Sequence, residues 1–126
     1  MYRNQMHERF NPGTDLTANV TEDVTGKTFV AYAGAMQNGI ITIKPAPTAA
    51  ATAGVAKYDA AKGDLVGVAR GSSRIVTVTA GAALTAGTAV EVGDGGKAVP
   101  TSAGVTVGWA VDDAKADEDA LISLAH

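Results

Sequence analysis

SRIVTVTAGAALTAGTAVEVGDGGKAV, residues 73–99, is the stretch from which the fold is most directly read. In residues 74–79, Arg74 is followed by isoleucine or threonine alternating with valine, which predicts a strand with one threonine-bearing face and one apolar face. Residues 88–92 predict a second strand. The sequence GDGG at 93–96 predicts a tight turn into a third strand at 97–99, because glycine adopts positive φ without strain. The stretch therefore predicts a small β-meander at the centre of the protein.

The composition points to one small domain with a thin core. The chain has 126 residues, of which 46% are hydrophobic, but most of these are alanine and valine and only 5% of the chain is aromatic. Small side chains bury little apolar area each. We therefore expect the protein to gain stability by associating with other chains, as an oligomer or in a bound state.

Charge and cysteine content exclude several classes of function. The net charge is −3 and no basic cluster stands out, so we expect no nucleic acid partner. The chain has no cysteine, which excludes disulfides and thiolate metal sites. No run of 18 apolar residues and no apolar signal region is found, so we expect a soluble protein with no membrane partner.

Further strands are predicted on both sides of the central stretch. Residues 28–32 and 40–44 form a predicted hairpin through the Asn38-Gly39 turn. Residues 105–111 and 120–124 read as the last two strands. The predicted fold is mainly β, a small β-sandwich or barrel-like domain with short helical turns.

A short internal sequence repeat, Gly-apolar-Ala-x-x-Asp-Ala, occurs as GVAKYDA at residues 54–60 and as GWAVDDA at residues 108–114. Its first three positions recur at residues 67–69. One interpretation is a set of equivalent binding units. The favoured interpretation is a recurring strand entry, at which glycine lets two backbones approach closely. The spacing is too uneven for a solenoid.

Residues 1–25 differ from the rest, because they show no sustained period of 2 or 3.6. We predict an extended N-terminal arm over 1–25 and a β-rich domain over 26–126. Tyr2, Met6 and Phe10 recur every four residues and would form an apolar stripe on a partner. The alternative is a frayed terminus without a role.

The residue types that carry catalysis are scarce. The two histidines, His7 and His126, lie outside every predicted strand, and neither phosphate-binding glycine motif is present. The acidic run at residues 112–119 lacks a glycine and contains Lys115, so a solvated turn is favoured over a calcium site. We expect no enzyme activity, no metal and no cofactor.

Arg70 and Arg74 flank a Gly-Ser-Ser loop. Two guanidinium groups in this position could hold an anion or the carboxylate of a neighbouring subunit. The alternative is a loop that is simply exposed.

From about Pro45 onward the chain resembles the capsid cement, or head-decoration, proteins of tailed bacteriophages, the lambda-type decoration proteins among them. The resemblance covers roughly two-thirds of the chain and rests on short Gly-, Ala- and Val-rich motifs. These are AGVA at 53–56, KGDLVGV at 62–68, LTAGTAV at 84–90, VGWA at 107–110 and ALISL at 120–124.

The resemblance implies a virion structural protein that binds the outer surface of the expanded capsid as a homotrimer and stabilises contacts of the major capsid protein. In this family the N-terminal arm reaches onto the major capsid protein. The arm residues assigned to capsid binding are Tyr2, Met6, Phe10, Leu16, Val20 and Val24. Arg70 and Arg74 are the candidate trimer contacts.

Two other functions stay open at this point. The turn at residues 84–90 also resembles β-clip folds, which include sugar-binding modules, so a small ligand-binding protein is one alternative. A tail or baseplate accessory protein of a phage is the other.

Overall fold

A computed structural model describes residues 3–6 and 14–126. The protein is mainly β, as predicted, with a single short 3-10 turn at Asp94–Gly96 within the described part of the chain. The strands in chain order are β1 (Asp15–Val20), β2 (Phe29–Tyr32), β3 (Ile41–Pro45), β4 (Gly54–Ala56), β5 (Leu65–Ala69), β6 (Ile75–Thr79), β7 (Ala89–Val92), β8 (Ala98–Pro100), β9 (Gly108–Ala110) and β10 (Asp119–Leu124).

Strands β1 to β5 form a closed barrel in the order β1-β3-β2-β4-β5, and β5 pairs back onto β1. The predicted β2–β3 hairpin is confirmed. Its turn residues Asn38 and Gly39 have φ of 53° and 75°, and Gln37 and Ile40 exchange backbone hydrogen bonds across it. Because β3 lies between β1 and β2 in the barrel, the segment that joins β1 to β2 passes the end of β3.

Strands β6 to β10 form a second sheet in the order β6-β10-β9-β7-β8. The hairpin of β7 and β8 is confirmed, but the predicted meander is wrong for β6, which pairs with β10 and not with β7. The connection after β6 is drawn away from β7, because Leu84 and Ala114 exchange backbone hydrogen bonds of 2.8 and 3.0 Å. Pairing between strands that are distant in the sequence, such as β6 and β10, cannot be predicted from local sequence patterns.

The two sheets are two copies of one five-stranded unit. The order β3-β2-β4-β5-β1 in the first repeat, residues 14–70, matches β8-β7-β9-β10-β6 in the second repeat, residues 71–126. Loop contacts repeat as well. Asp59 Oδ1 accepts a hydrogen bond from the Gly26 amide at 2.8 Å, and Asp113 Oδ1 accepts one from the Ala86 amide at 2.9 Å. The repeated motif at residues 54–60 and 108–114 therefore marks equivalent positions in two structural repeats.

The repeats differ in how they close. In the first repeat β1 and β3 pair over three residues, whereas in the second repeat β6 and β8 meet only at Ala80 and Ala98. The first repeat fills the resulting gap. The Thr79 amide donates to the Lys27 carbonyl at 2.8 Å, and Phe29 is fully buried in the core of the second repeat.

Two apolar cores result, and β2 contributes to both. Val30 faces the barrel core, while Phe29 and Ala31 face the core shared with the second repeat. The barrel core comprises Ala18, Val20, Val24, Val30, Ile41, Ile43, Ala53, Ala56, Val66 and Val68. Since alternate residues of a strand point to opposite faces, β2 is buried on both sides and joins the repeats.

The predicted extent of the N-terminal arm is corrected by the first strand. Residues 15–20 form β1, Val20 and Val24 are buried in the barrel core, and Leu16 packs against it. The prediction of an arm over residues 1–25 is therefore wrong for residues 15–24. The period-2 pattern of DLTANV is present, but alanine and asparagine are weak strand formers and obscure it.

The interpretation that the repeated glycines let two backbones approach closely is confirmed for Gly54 and Gly108 but not for Gly67, which lies near side-chain atoms only. A Cβ at Gly54 would lie 2.5 Å from the Ala69 carbonyl oxygen, and one at Gly108 would lie 2.6 Å from that of Ser123. These two carbonyls occupy equivalent places in the two repeats. The glycine is therefore required wherever the fourth strand of a repeat passes its fifth.

We expect Gly108→Ala to lower the free energy of unfolding by roughly 1–3 kcal/mol, the usual cost of overpacking a closed interior. The matched control is Gly67→Ala in β5, where the nearest atom is Cδ of the flexible Lys57 side chain at 3.2 Å. Urea unfolding of both variants measures the difference. Equal midpoints for the two variants would contradict the packing argument.

Candidate interaction surface

The largest exposed apolar side chains of the second repeat lie together on the outer face of its sheet. Ile75, Trp109 and Leu121 are 55%, 46% and 45% exposed. Ser123 lies opposite both Ile75 and Trp109 in the strand register, and Leu121 is the diagonal neighbour of both. Together with the exposed Val111 next to Trp109, these residues define the Trp109 face.

The equivalent face of the first repeat is buried against the second repeat. Val55 of β4 occupies the position of Trp109 and is 2% exposed, because it packs with Phe29 against the core of the second repeat. In the second repeat the same strand face lies open. Contiguous exposed apolar area that includes a tryptophan is typical of interaction sites.

Glu91 closes one border of this face. It is only 6% exposed; its Oε1 accepts a hydrogen bond from the Ser102 amide at 2.7 Å, while Oε2 has no partner among the described residues. Oε2 lies close to Gly104, which also approaches Ala49. The hydrogen bond from Ser102 fixes the loop after β8 to β7, and backbone hydrogen bonds join Ala49 to Val92 and Val105. The alternation of Glu91 with Val90 and Val92 places it on the opposite face of the strand, but no local pattern indicates that a loop covers it.

A charged corner joins β1, β4 and β6 across the two repeats. Arg74 Nη1 donates to Asp15 Oδ1 and to the Thr14 carbonyl at 2.9 Å, and Lys57 Nζ lies 3.0 Å from Asp15 Oδ2. Hydrogen bonds from Arg74 and then from Lys57 lower the pKa of the Asp15 carboxyl below its ordinary value of 3.8.

The two arginines predicted as trimer contacts lie in this corner. Arg74 Nη1 also donates to the Arg70 carbonyl at 3.3 Å, and Arg70 Nη1 donates to the Tyr32 hydroxyl at 3.1 Å. Both guanidinium groups therefore have partners within the chain. Their contact with another subunit stays a prediction.

The six residues predicted to bind the capsid are not brought together. Val20 and Val24 are buried in the barrel core and are not available to a partner, while Leu16 is partly buried and packs against that core. Met6 is 74% exposed. Tyr2 and Phe10 lie outside the described residues.

The acidic run forms contacts within the protein. Asp117 pairs with Lys97 at 2.9 Å and Asp119 with Lys27 at 3.0 Å. The described residues contain no group of three or more histidine or acidic side chains placed to hold a metal ion. Among the same residues, no helix is long and apolar enough to span a membrane.

Asp15→Asn should reduce the loss of stability on acidification. A carboxylate with a lowered folded-state pKa stabilises the fold above its unfolded pKa, and this contribution disappears as pH falls through the folded value. The side chain is 43% exposed, so we expect an effect within the roughly 0.2–1 kcal/mol of exposed ion pairs. Thermal melts from about pH 6 to about pH 2.5 measure it. Asp112→Asn, which removes an exposed carboxylate elsewhere, is the control, and identical pH profiles for the two variants would refute the assignment.

Comparisons with known proteins agree with this architecture. A family model described as phage cement protein matches residues 10–125, whereas no curated protein matches the chain. The crystal structure of the head fiber gp8.5 N base of bacteriophage phi29 is similar, with a TM-score of 0.74 and 28% identity over 88% of this chain and 92% of that chain. The resemblance found in the sequence is confirmed. The protein is a phage structural protein associated with the capsid, and the chain belongs to the phage cement protein family.

Proposed function

We propose that the protein cements the phage head. It binds the outer surface of the expanded capsid as a homotrimer and stabilises contacts between major capsid protein subunits. Membership of the phage cement family supports this function. A protein that binds assembled subunits and not free ones stabilises the shell by mass action at every site, so no catalytic step is needed.

The Trp109 face is the observation that carries the trimer. Its large side chains are about half exposed, and burying such a side chain completely is worth roughly 1.5–3 kcal/mol. Three or four half-exposed side chains therefore supply several kcal/mol at each interface of a trimer. The two cores of the chain consist mainly of alanine and valine, so few other exposed side chains could supply as much binding free energy.

The place where the arm leaves the domain supports self-association at this face. The Thr14 carbonyl at the start of β1 accepts a hydrogen bond from Arg74, which directly precedes Ile75 of the Trp109 face. A trimer formed through this face brings three arms out beside one another. Arg70 and Arg74 then lie at the rim of the subunit interface.

The arm supplies the capsid contact in this proposal. Residues 1–13 precede the first strand, and Tyr2, Met6 and Phe10 are the apolar side chains that would anchor them. Each arm is short, so each contact is weak. Three arms on one trimer raise the effective affinity without any new type of contact.

The double variant Trp109→Ser, Leu121→Ser should be a folded monomer where the wild type is a trimer, since both side chains lie on the exposed face and leave the cores intact. Sedimentation velocity over a range of concentrations measures the oligomeric state. Met36→Ser is the control, because Met36 is 41% exposed in the β2–β3 connection of the other repeat. A trimeric double variant would remove this face from the interface.

Wild-type protein should co-sediment with expanded capsids that lack it and should raise the temperature at which they are disrupted. Deletion of residues 1–13 should abolish co-sedimentation, while the melting temperature of the isolated domain stays unchanged because β1 begins at residue 15. Failure of the wild type to bind at high concentration would end the cement proposal. Binding of the deletion variant would end the role of the arm.

A further inference from the structure

Strand β6 has one edge that is largely unpaired among the described residues. Within the sheet it pairs only with β10, and the bonds to that strand come from even-numbered residues: the Leu124 amide donates to the Arg74 carbonyl at 2.9 Å, and the Ala80 amide donates to the Glu118 carbonyl at 2.8 Å. In an antiparallel pair, alternate residues direct their backbone groups to opposite sides. The amides and carbonyls of Ile75, Thr77 and Thr79 therefore point away from β10.

Only the end of this edge is occupied. The Thr79 amide donates to the Lys27 carbonyl, but in the described part of the chain the backbone groups that Ile75 and Thr77 direct to this edge have no hydrogen-bond partner. The equivalent strand of the first repeat, β1, carries β3 on this edge in parallel pairing. That pairing covers only Ala18 to Val20, which correspond to Val78 to Ala80 in β6. In the described part of both repeats, the first half of this edge therefore carries no strand.

A groove of about 260 Å³ runs beside this open edge. Its apolar lining includes Val55 and Ala69 of the first repeat and Val76 of the second. The charged side chains that line it are Lys27, Lys57 and Arg74, and no carboxylate is among the lining residues. The groove therefore combines free backbone donors and acceptors, an apolar wall and three positive charges.

We propose that this groove binds an extended acidic segment of the major capsid protein, which adds to β6 as an extra strand. The inference rests on the proposed cement function and names a second contact besides the arm. Main-chain hydrogen bonds at a free sheet edge hold an extended peptide, and side-chain pockets select it. In this groove the three cationic side chains would select a peptide that carries carboxylates.

The charges decide between candidate occupants. Asp15 and Asp119 pair with the groove cations from its rim, and such exposed pairs are weak enough to exchange for an incoming carboxylate. The chain's own N-terminal segment carries Arg3 and Arg9 against one acidic residue, Glu8. Its charge does not complement the groove, so the occupant comes from another protein.

The size of the edge sets the strength of the contact. Ile75 and Thr77 offer at most two amides and two carbonyls, which pair with a segment of about three or four residues at about 3.3 Å each. One such contact is weak. A trimer carries three of these edges beside three arms, and its occupancy of the capsid then depends on their joint effect.

Hydrogen–deuterium exchange of protein bound to expanded capsids tests the added strand directly. We expect the peptide that covers β6 to gain two slowly exchanging amides, those of Ile75 and Thr77, relative to the free protein. Bound protein whose β6 exchanges as fast as in the free state would overturn the inference. So would slow exchange in the free protein that disappears on deleting residues 1–13, because the groove would then hold the chain's own arm.

A charge comparison separates this contact from general attraction to the capsid. We expect the double variant Lys27→Gln, Lys57→Gln to bind capsids about tenfold more weakly in a sedimentation titration. The control Lys62→Gln, Lys115→Gln removes the same charge from exposed positions outside the groove and should bind like the wild type. Equal affinities for the two double variants would overturn the inference while the cement function stands. Wild-type protein that does not bind capsids at all would reject both.

Discussion

Phe29 of the first repeat lies in the core of the second repeat, and the rest of the structure depends on this contact. The second sheet does not close by itself, because β6 and β8 meet only at Ala80 and Ala98. Phe29, one of two phenylalanines in the chain, fills the gap with its whole side chain buried. Without this ring, a core made mainly of alanine and valine would be open to water on one side.

This contact makes the two repeats unequal. The first repeat uses the outer face of β2 and β4 to cover its neighbour, so that face is buried. Among the described residues, the equivalent face of the second repeat is not covered, and Trp109 lies exposed on it. The first repeat also occupies the end of the β6 edge, where the Thr79 amide donates to the Lys27 carbonyl. Among the described residues, Ile75 and Thr77 have no backbone partner on that edge. The two candidate surfaces of the second repeat therefore lie beside its contact with the first.

The sequence predicts the strands well and their pairing poorly. Strand β6, the β2–β3 hairpin, the β7–β8 hairpin and the terminal strand follow from period-2 patterns and turn residues that act within a few positions. The neighbours of β6 are fixed by Leu84 and Ala114, which are 30 positions apart along the chain, and no local pattern encodes that distance. The interaction surface was missed for the same reason: whether Trp109 is covered depends on a repeat that lies elsewhere in the chain.

The two repeats also separate residues that maintain the fold from residues that bind. Equivalent positions that keep the same residue hold strands and loops in place, as Gly54 and Gly108 or Asp59 and Asp113 do. Two of the positions that differ place a larger side chain on the open face of the second repeat. These are Val55 against Trp109 and Gly67 against Leu121. Since Trp109 and Leu121 are about half exposed, the packing of the second repeat does not account for their size. This difference supports the proposal that the second repeat meets another molecule on this surface.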